Sequence, residues 1–391
     1  MTRRVRIAGA GVVSPIGIGV EETLASLLAG RGGVSLPRHC ATALGVPVGE
    51  VRLTDDELRS SLGTLARSRT ALLAAAAARE AVADACLTKA EIAHAALVSA
   101  TTVGGMDQTP KFYRAFEKDR GHGRLRYIAE HPCASHADTV AKTLGIGGWR
   151  TTISTACSSG ANAIMTGARM IELGLADTVI AGGADSLCAF TLGGFNALKI
   201  LSREACHPLS EERDGLNLGE GAAYLVLKAD DGAQCRGWMA GWRNANDAHH
   251  QTALSDNGQG AQDAMRGAMG KASIGPQEVG YINLHGTATP NNDRSEMAAI
   301  EAVWAGLQLP PLSSTKGFTG HTLAAAGAIE AVFCLLALHC QTAWKNLGLR
   351  TPMGADTPKP TAENTPIETQ YALSNSLGFG GNCTSLIFQK A

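Results

Sequence analysis

Almost no net charge is available to this chain: 34 Lys and Arg stand against 35 Asp and Glu, a formal charge of −1 in 391 residues. A near-neutral protein sets up no global field for nucleic acid or an acidic membrane, so an anionic partner must meet a local basic patch. Charged residues make up only 18% against 45% hydrophobic, which excludes a disordered chain and a coiled coil, and the 46 glycines keep no collagen-like period. No C-x-x-C occurs, and the closest pair among ten cysteines is Cys334 and Cys340, so neither zinc-finger spacing nor a disulfide framework is present. Scattered cysteines of this kind act as small buried apolar residues and fit a reducing compartment, the cytoplasm. No apolar run is longer than 331–338, which falls far short of the ~18 residues of a membrane span. Arg3, Arg4 and Arg6 precede an apolar stretch, but Gly9, Gly11 and Pro15 break it, which argues against a secretory signal. His249 and His250 have no Cys or carboxylate at helical spacing, and no metal site is expected.

A length of 391 residues corresponds to two or three domain equivalents at ~150 residues each. Strand-like runs at 5–8, 95–100, 151–155, 178–182, 222–227, 280–284, 312–315, 371–374 and 384–388 alternate with helical patterns, which argues an α/β architecture. A composition shift near 229–237 divides the chain into two βα-rich halves with no sequence identity between them. The Pro-rich stretch 351–365 reads as a surface loop. Gly9-Ala10-Gly11 offers part of a dinucleotide fingerprint, but Ser14 replaces the third Gly and no acid follows in a ribose-binding position, so a tight strand-to-loop turn is expected. An Ala-rich helix spans 69–85. Another, 158–173, places Ala161, Ile164, Met165, Ala168 and Ile171 on one face. The helix 322–339 is apolar nearly all round and therefore buried, yet Glu330 lies in its middle and needs a partner.

Three segments carry chemistry. Cys157, in Thr155-Ala156-Cys157-Ser158-Ser159-Gly160, stands at a strand-to-helix joint, where the positive end of the helix dipole favours thiolate. His285 opens His285-Gly286-Thr287-Ala288-Thr289-Pro290, and His321 closes Lys316-Gly317-Phe318-Thr319-Gly320-His321. Each histidine follows a strand, where α/β folds place their sites. A loop histidine alone is usually solvated; two beside a reactive thiol make a nucleophile with donors.

These segments resemble the signature of the β-ketoacyl-acyl-carrier-protein synthases, the condensing enzymes of the thiolase superfamily. The resemblance extends to Ala10–Pro15, to Arg213-Asp214-Gly215 with Gly219-Glu220-Gly221, and to Asn375-Ser376-Leu377-Gly378-Phe379-Gly380-Gly381-Asn382, in the family's order. The Cys-His-His set is of the elongating type. The resemblance implies an α/β thiolase fold of two pseudo-symmetric βα halves in a layered α-β-α-β-α core, 1–230 carrying the nucleophile and 231–391 the histidines. It implies no cofactor, a dimer with the strand ahead of Cys157 at the interface, and condensation of a Cys-bound acyl chain with malonyl-acyl-carrier protein.

Residue by residue, the resemblance makes Cys157 the acyl-accepting nucleophile and the backbone N–H groups of Cys157 and Phe379 the oxyanion hole, with Phe379 also the gate. His285 and His321 match the pair at the malonyl thioester, Lys316 and Glu330 the supporting ion pair, and Thr287 and Thr289 the hydroxyls that orient the malonyl carboxylate. Arg67, Arg69 and Lys199 match the docking region for the acidic carrier protein. The sequence departs from the family at Leu377, where an aromatic is common, at Cys383, and in a shortened loop 203–211. These changes bear on the acyl pocket and open specialised polyketide or aryl-polyene synthesis beside fatty-acid elongation. Two alternatives stand: an active subunit dependent on a ketosynthase-like chain-length partner, and a thiolase acting on CoA esters, which would need a second catalytic cysteine.

Overall fold

The computed structural model of the chain describes residues 3–40, 42–354 and 358–391. Ten strands form its frame: β1 (Val5–Ser14), β2 (Ala96–Ala100), β3 (Arg150–Ile153), β4 (Thr178–Asp185) and β5 (Gly221–Ala229), then β6 (Gly237–Asn246), β7 (Val279–Leu284), β8 (Leu312–Ser314), β9 (Tyr371–Gly378) and β10 (Asn382–Gln389). The first five lie in the order β3-β2-β4-β5-β1 and the second five in the order β8-β7-β9-β10-β6, the same permutation twice. In each set the first three strands are parallel and the remaining pairs antiparallel. The sets join where Val5–Ile7 of β1 pairs antiparallel with Gly237–Met239 of β6. A repeat with no trace in the sequence is thus plain in the topology.

Two helices, α3 (Ser159–Glu172) and α7 (Ala326–Cys340), lie between the sheets, and their apolar faces share one core with both. Helices α1 (Arg69–Asp84) and α2 (Ala134–Leu144) cover the outer face of the first sheet; α5 (Gln259–Ala272) and α6 (Pro290–Val303) cover that of the second. A shorter helix, α4 (Ala189–Ala197), borders the site described below. The result is an α-β-α-β-α stack. The segment Leu323–Cys340 is apolar and long enough to cross a membrane by composition, but it is the buried central layer.

Two expectations need correction. Gly9 and Gly11 do not form a turn: β1 runs through both, with a register shift between Ile7 and Gly9. They serve close approach, since a Cβ would stand 2.5 Å from the Ala81 carbonyl oxygen at Gly9 and 2.1 Å from that of Ala77 at Gly11. The Ala-rich helix can therefore lie directly on the strand. The helix expected at 322–339 opens with a 3₁₀ turn, Leu323–Ala325, because Leu323 holds a positive φ of 51°. Strand β6 goes unmarked in the sequence because its Gly and Asn residues disfavour strand. Residues 355–357 of the Pro-rich stretch lie outside the described residues; nearby, Thr361 N–H donates to the Leu312 carbonyl at the start of β8.

Candidate active site

The Cys157 segment is a sharp elbow between β3 and α3. Ala156 takes φ +51°, a strained value for a residue with a side chain, and Ser158 forms the helix N-cap. Side chains around the elbow hold it: Ser159 Oγ accepts the Thr155 N–H at 2.8 Å, and Ser158 Oγ donates to Asn382 Oδ1 at 2.6 Å. That same oxygen accepts from Asn162 (2.9 Å) and Asn244 (2.7 Å), so an amide network fastens the first turn of α3 to β6 and β10. With its geometry over-determined in this way, the elbow can present Cys157 Sγ to the cavity.

Sγ lies 3.0 Å from His321 Nε2. The backbone N–H groups of Phe379 and of Cys157 itself both bear on the sulfur. The expected resting thiolate does not survive burial, which pushes the thiol up to about 11 although Lys316 and the Phe379 N–H pull it down. The resting group is therefore a thiol, deprotonated as it reacts. Alkylation of Cys157 by iodoacetamide should accordingly keep accelerating with pH beyond 9, the ordinary thiol value. A rate that levels off near pH 8 would show the thiol to be activated at rest.

His285 follows β7, and its loop is pinned by Glu296 of α6, which accepts the N–H groups of His285 (2.9 Å) and Gly286 (2.8 Å). Lys316 Nζ stands 3.4 Å from His285 Nδ1. An ammonium can only donate, so Nδ1 accepts and the ring proton sits on Nε2, facing the cavity. The rings of His285 and His321 meet edge to face, centroids 5.3 Å apart. Burial, and after it the Lys316 charge, holds both imidazoles well below their ordinary value, so both are neutral. Lys316 Nζ is 2.5 Å from Glu330 Oε1, both side chains buried, and this pair answers the need for a partner to the carboxylate in the middle of α7.

A cavity of about 360 Å³ opens on these groups. Thr287 and Thr289, hydroxyls 2.8 Å apart, line its reactive end. Ile200, Leu216 and Leu377 form its apolar wall with Phe195, which stacks on Phe379 (centroids 5.9 Å, planes 12° apart). Leu377 therefore does lie at the pocket. Cys383 does not: it is buried in the outer core beneath α5, with Sγ on the Gly381 carbonyl. Among the described residues no second cysteine lines the cavity.

Of the docking candidates, Arg67 and Lys199 are exposed. Arg69 is not available to a partner. It is buried, with Nε and Nη2 on Glu220 (2.9 and 2.7 Å) and Nη1 on Asp55 (2.8 Å), so its charge is spent inside the fold. Sequence reasoning missed Glu296 and Asp293, which accepts the Ala288 N–H at 3.1 Å. The signal was there: both carboxylates share the face of α6 that carries Ile300, as Glu330 sits among apolar residues in α7.

Known proteins bear on this geometry. The model of the family "Beta-ketoacyl synthase, N-terminal domain" matches residues 2–233, and that of the "C-terminal domain" matches 236–350. The chain is 33% identical to 3-oxoacyl-[acyl-carrier-protein] synthase 2 of Staphylococcus aureus (strain COL), over 99% of this chain and 98% of that one. Among solved structures it is similar to the ishigamide ketosynthase/chain length factor, at a TM-score of 0.93 and 29% identity with both chains fully covered. It is similar also to the ketosynthase ApeO, in complex with its chain length factor ApeC, from Xenorhabdus doucetiae, at a TM-score of 0.87 and 32% identity, covering 100% of this chain and 98% of that one.

Proposed function

The chain belongs to the β-ketoacyl synthase family, and from that premise we propose that it condenses a Cys157-bound acyl chain with malonyl-acyl-carrier protein, releasing CO₂ and a 3-oxoacyl-carrier thioester. One observation carries the proposal: a buried thiol 3.0 Å from one neutral imidazole, beside a second whose Nε2–H is directed into the cavity by Lys316.

The steps follow from the groups present. Sγ attacks the acyl thioester, the oxygen taking up charge between the N–H groups of Cys157 and Phe379. The carrier thiol leaves with the proton that Cys157 gives up. Malonyl-carrier then loses CO₂, and the electron pair of the broken C–C bond passes into an enolate. His285 and His321 hold its oxygen as neutral donors in a dry site. The enolate carbon attacks the acyl-Cys carbonyl, the C–S bond breaks, and Sγ leaves as thiolate to be reprotonated. Thr287 and Thr289 meet the malonyl carboxylate before it departs. Residues 1–230 supply the nucleophile and 231–391 the histidines, so the reaction joins the two halves. Intact-mass analysis after incubation with an acyl-carrier thioester should place one acyl group on Cys157; an unmodified peptide there would reject the proposal. The thiolase reading would need a second thiol, and among the described residues none but Cys157 lines the cavity.

The working form is a dimer, either two copies or one copy with a ketosynthase-like chain-length partner. Strand β3, directly ahead of Cys157, ends its sheet with an unpaired, partly exposed edge, which suits continuation into a second subunit. All ten cysteines are free, which fits the cytoplasm. The carrier protein docks on a local basic surface that includes Arg67 and Lys199. Reversing either to Glu should raise KM for the carrier-bound substrate and spare a pantetheine-like thioester. The wild-type carrier reaction should weaken with salt, since screening shortens from ~10 Å at 0.1 M to ~3 Å at 1 M. Equal losses on both substrates would mean that the substitutions damaged the pocket instead.

A further inference from the structure

Asp185 ends β4, is fully buried, and has no part in the steps above. Its Oδ1 accepts from the Thr101 hydroxyl (2.5 Å) and from the N–H groups of Thr102 (3.0 Å) and Val103 (2.9 Å). Its Oδ2 accepts from the Thr102 hydroxyl (2.5 Å) and the Ala324 N–H (2.8 Å). The donors come from both halves of the chain. Residues 101–103 follow β2; Ala324 belongs to the turn that begins at His321. That turn is strained, with Leu323 at φ +51°, and a strained turn persists only where its surroundings dictate it. On one side the His321 N–H donates to the Asn217 carbonyl at 2.7 Å. On the other the Ala324 carbonyl presses on α3 at Gly160, where a Cβ would come within 2.6 Å. Val103, whose N–H is one of the donors, and Leu323, next to Ala324, pack in one apolar cluster with Leu216, which lines the cavity.

We propose that Asp185 is a positioning residue of this site: its carboxylate clamps the turn that carries His321 to the 101–103 loop behind the apolar wall of the cavity. The proposal rests on the condensation argued above and names what sets its geometry. A carboxylate suits the place because both oxygens accept. An amide would turn an N–H₂ toward one of the two donor sets and lose it. Asp185 also places a negative charge near Sγ, opposite in effect to Lys316. His285 and His321 stand beside Sγ, which feels the charges of Lys316 and Asp185; the Asp185 charge also acts on Cys133 and Tyr224.

The test compares Asp185→Asn with Thr101→Val, which removes one donor and keeps the charge. Two readouts are followed: condensation kinetics, and the pH midpoint of Cys157 alkylation by iodoacetamide. Asp185→Asn should lower kcat by about ten- to a hundred-fold, the scale set by a displacement near 1 Å. It should leave KM nearly unchanged and move the alkylation midpoint to lower pH, so that the thiol becomes more reactive as the enzyme becomes less competent. Thr101→Val should lose a smaller part of kcat with the midpoint unmoved, and it decides the matter should Asp185→Asn fail to fold. A wild-type kcat in both variants, or a parallel fall of kcat and alkylation at every pH, would overturn the clamp. Wild-type protein that is alkylated but makes no product would overturn the reaction instead, leaving the midpoints to decide on Asp185.

Discussion

Cys157→Ala should make no 3-oxoacyl product from acyl- and malonyl-carrier, because no acyl-enzyme can form. The substitution removes the thiol that lines the cavity while leaving both imidazoles, Lys316 and the N–H groups of residues 157 and 379 in place. Malonyl decarboxylation draws on the histidines rather than the sulfur and should continue, so labelled CO₂ should appear without elongated chain. That uncoupling separates loss of the nucleophile from collapse of the site. Repeated turnover to product by the variant would remove Cys157 from the role, and loss of both activities with a lowered melting temperature would point to misfolding of the elbow.

The second large effect concerns the pair between Lys316 and Glu330. Glu330→Ala leaves an ammonium buried against His285 Nδ1 with no counter-charge. Removing one partner of a buried pair costs about 3–5 kcal/mol, so the melting temperature should fall clearly. Activity should fall further than stability alone explains. A lysine stripped of its carboxylate is no longer held against His285 Nδ1, and nothing then forces the His285 proton onto Nε2. Glu330→Gln keeps an acceptor of the same shape and should retain more stability than activity. Unchanged melting and rate in Glu330→Ala would mean that the pair neither holds α7 nor orients His285.

Much of this arrangement is legible in the sequence because it rests on local signals. The thiol and both histidines each follow a strand in a segment of small residues, and nine of the ten strands show as β-branched or aliphatic runs. What escapes is set by partners distant in sequence. Arg69 reads as a solvated helix start, and only the fold brings Glu220 to it from 151 residues away. Asp185 and Glu296 each hold backbone N–H groups together with side-chain donors, Thr101 and Thr102 at Asp185 and Asn375 at Glu296, and the sequence names none of these partners. The protonation of Cys157 also misleads. The helix terminus argues for thiolate, but the thiol is sealed under both halves at 5% exposure, and desolvation outweighs the dipole.

The central claim is carbon–carbon bond formation paid for by decarboxylation, and one measurement reaches it directly. Wild-type protein is given an acyl-carrier thioester and malonyl-carrier labelled with ¹³C throughout the malonyl group, and the carrier products are weighed by mass spectrometry. The account predicts a 3-oxoacyl-carrier bearing two labelled carbons, with the third released as labelled CO₂ in equal amount. Acyl transfer to the carrier without chain extension, or extension that retains all three labelled carbons, would contradict it.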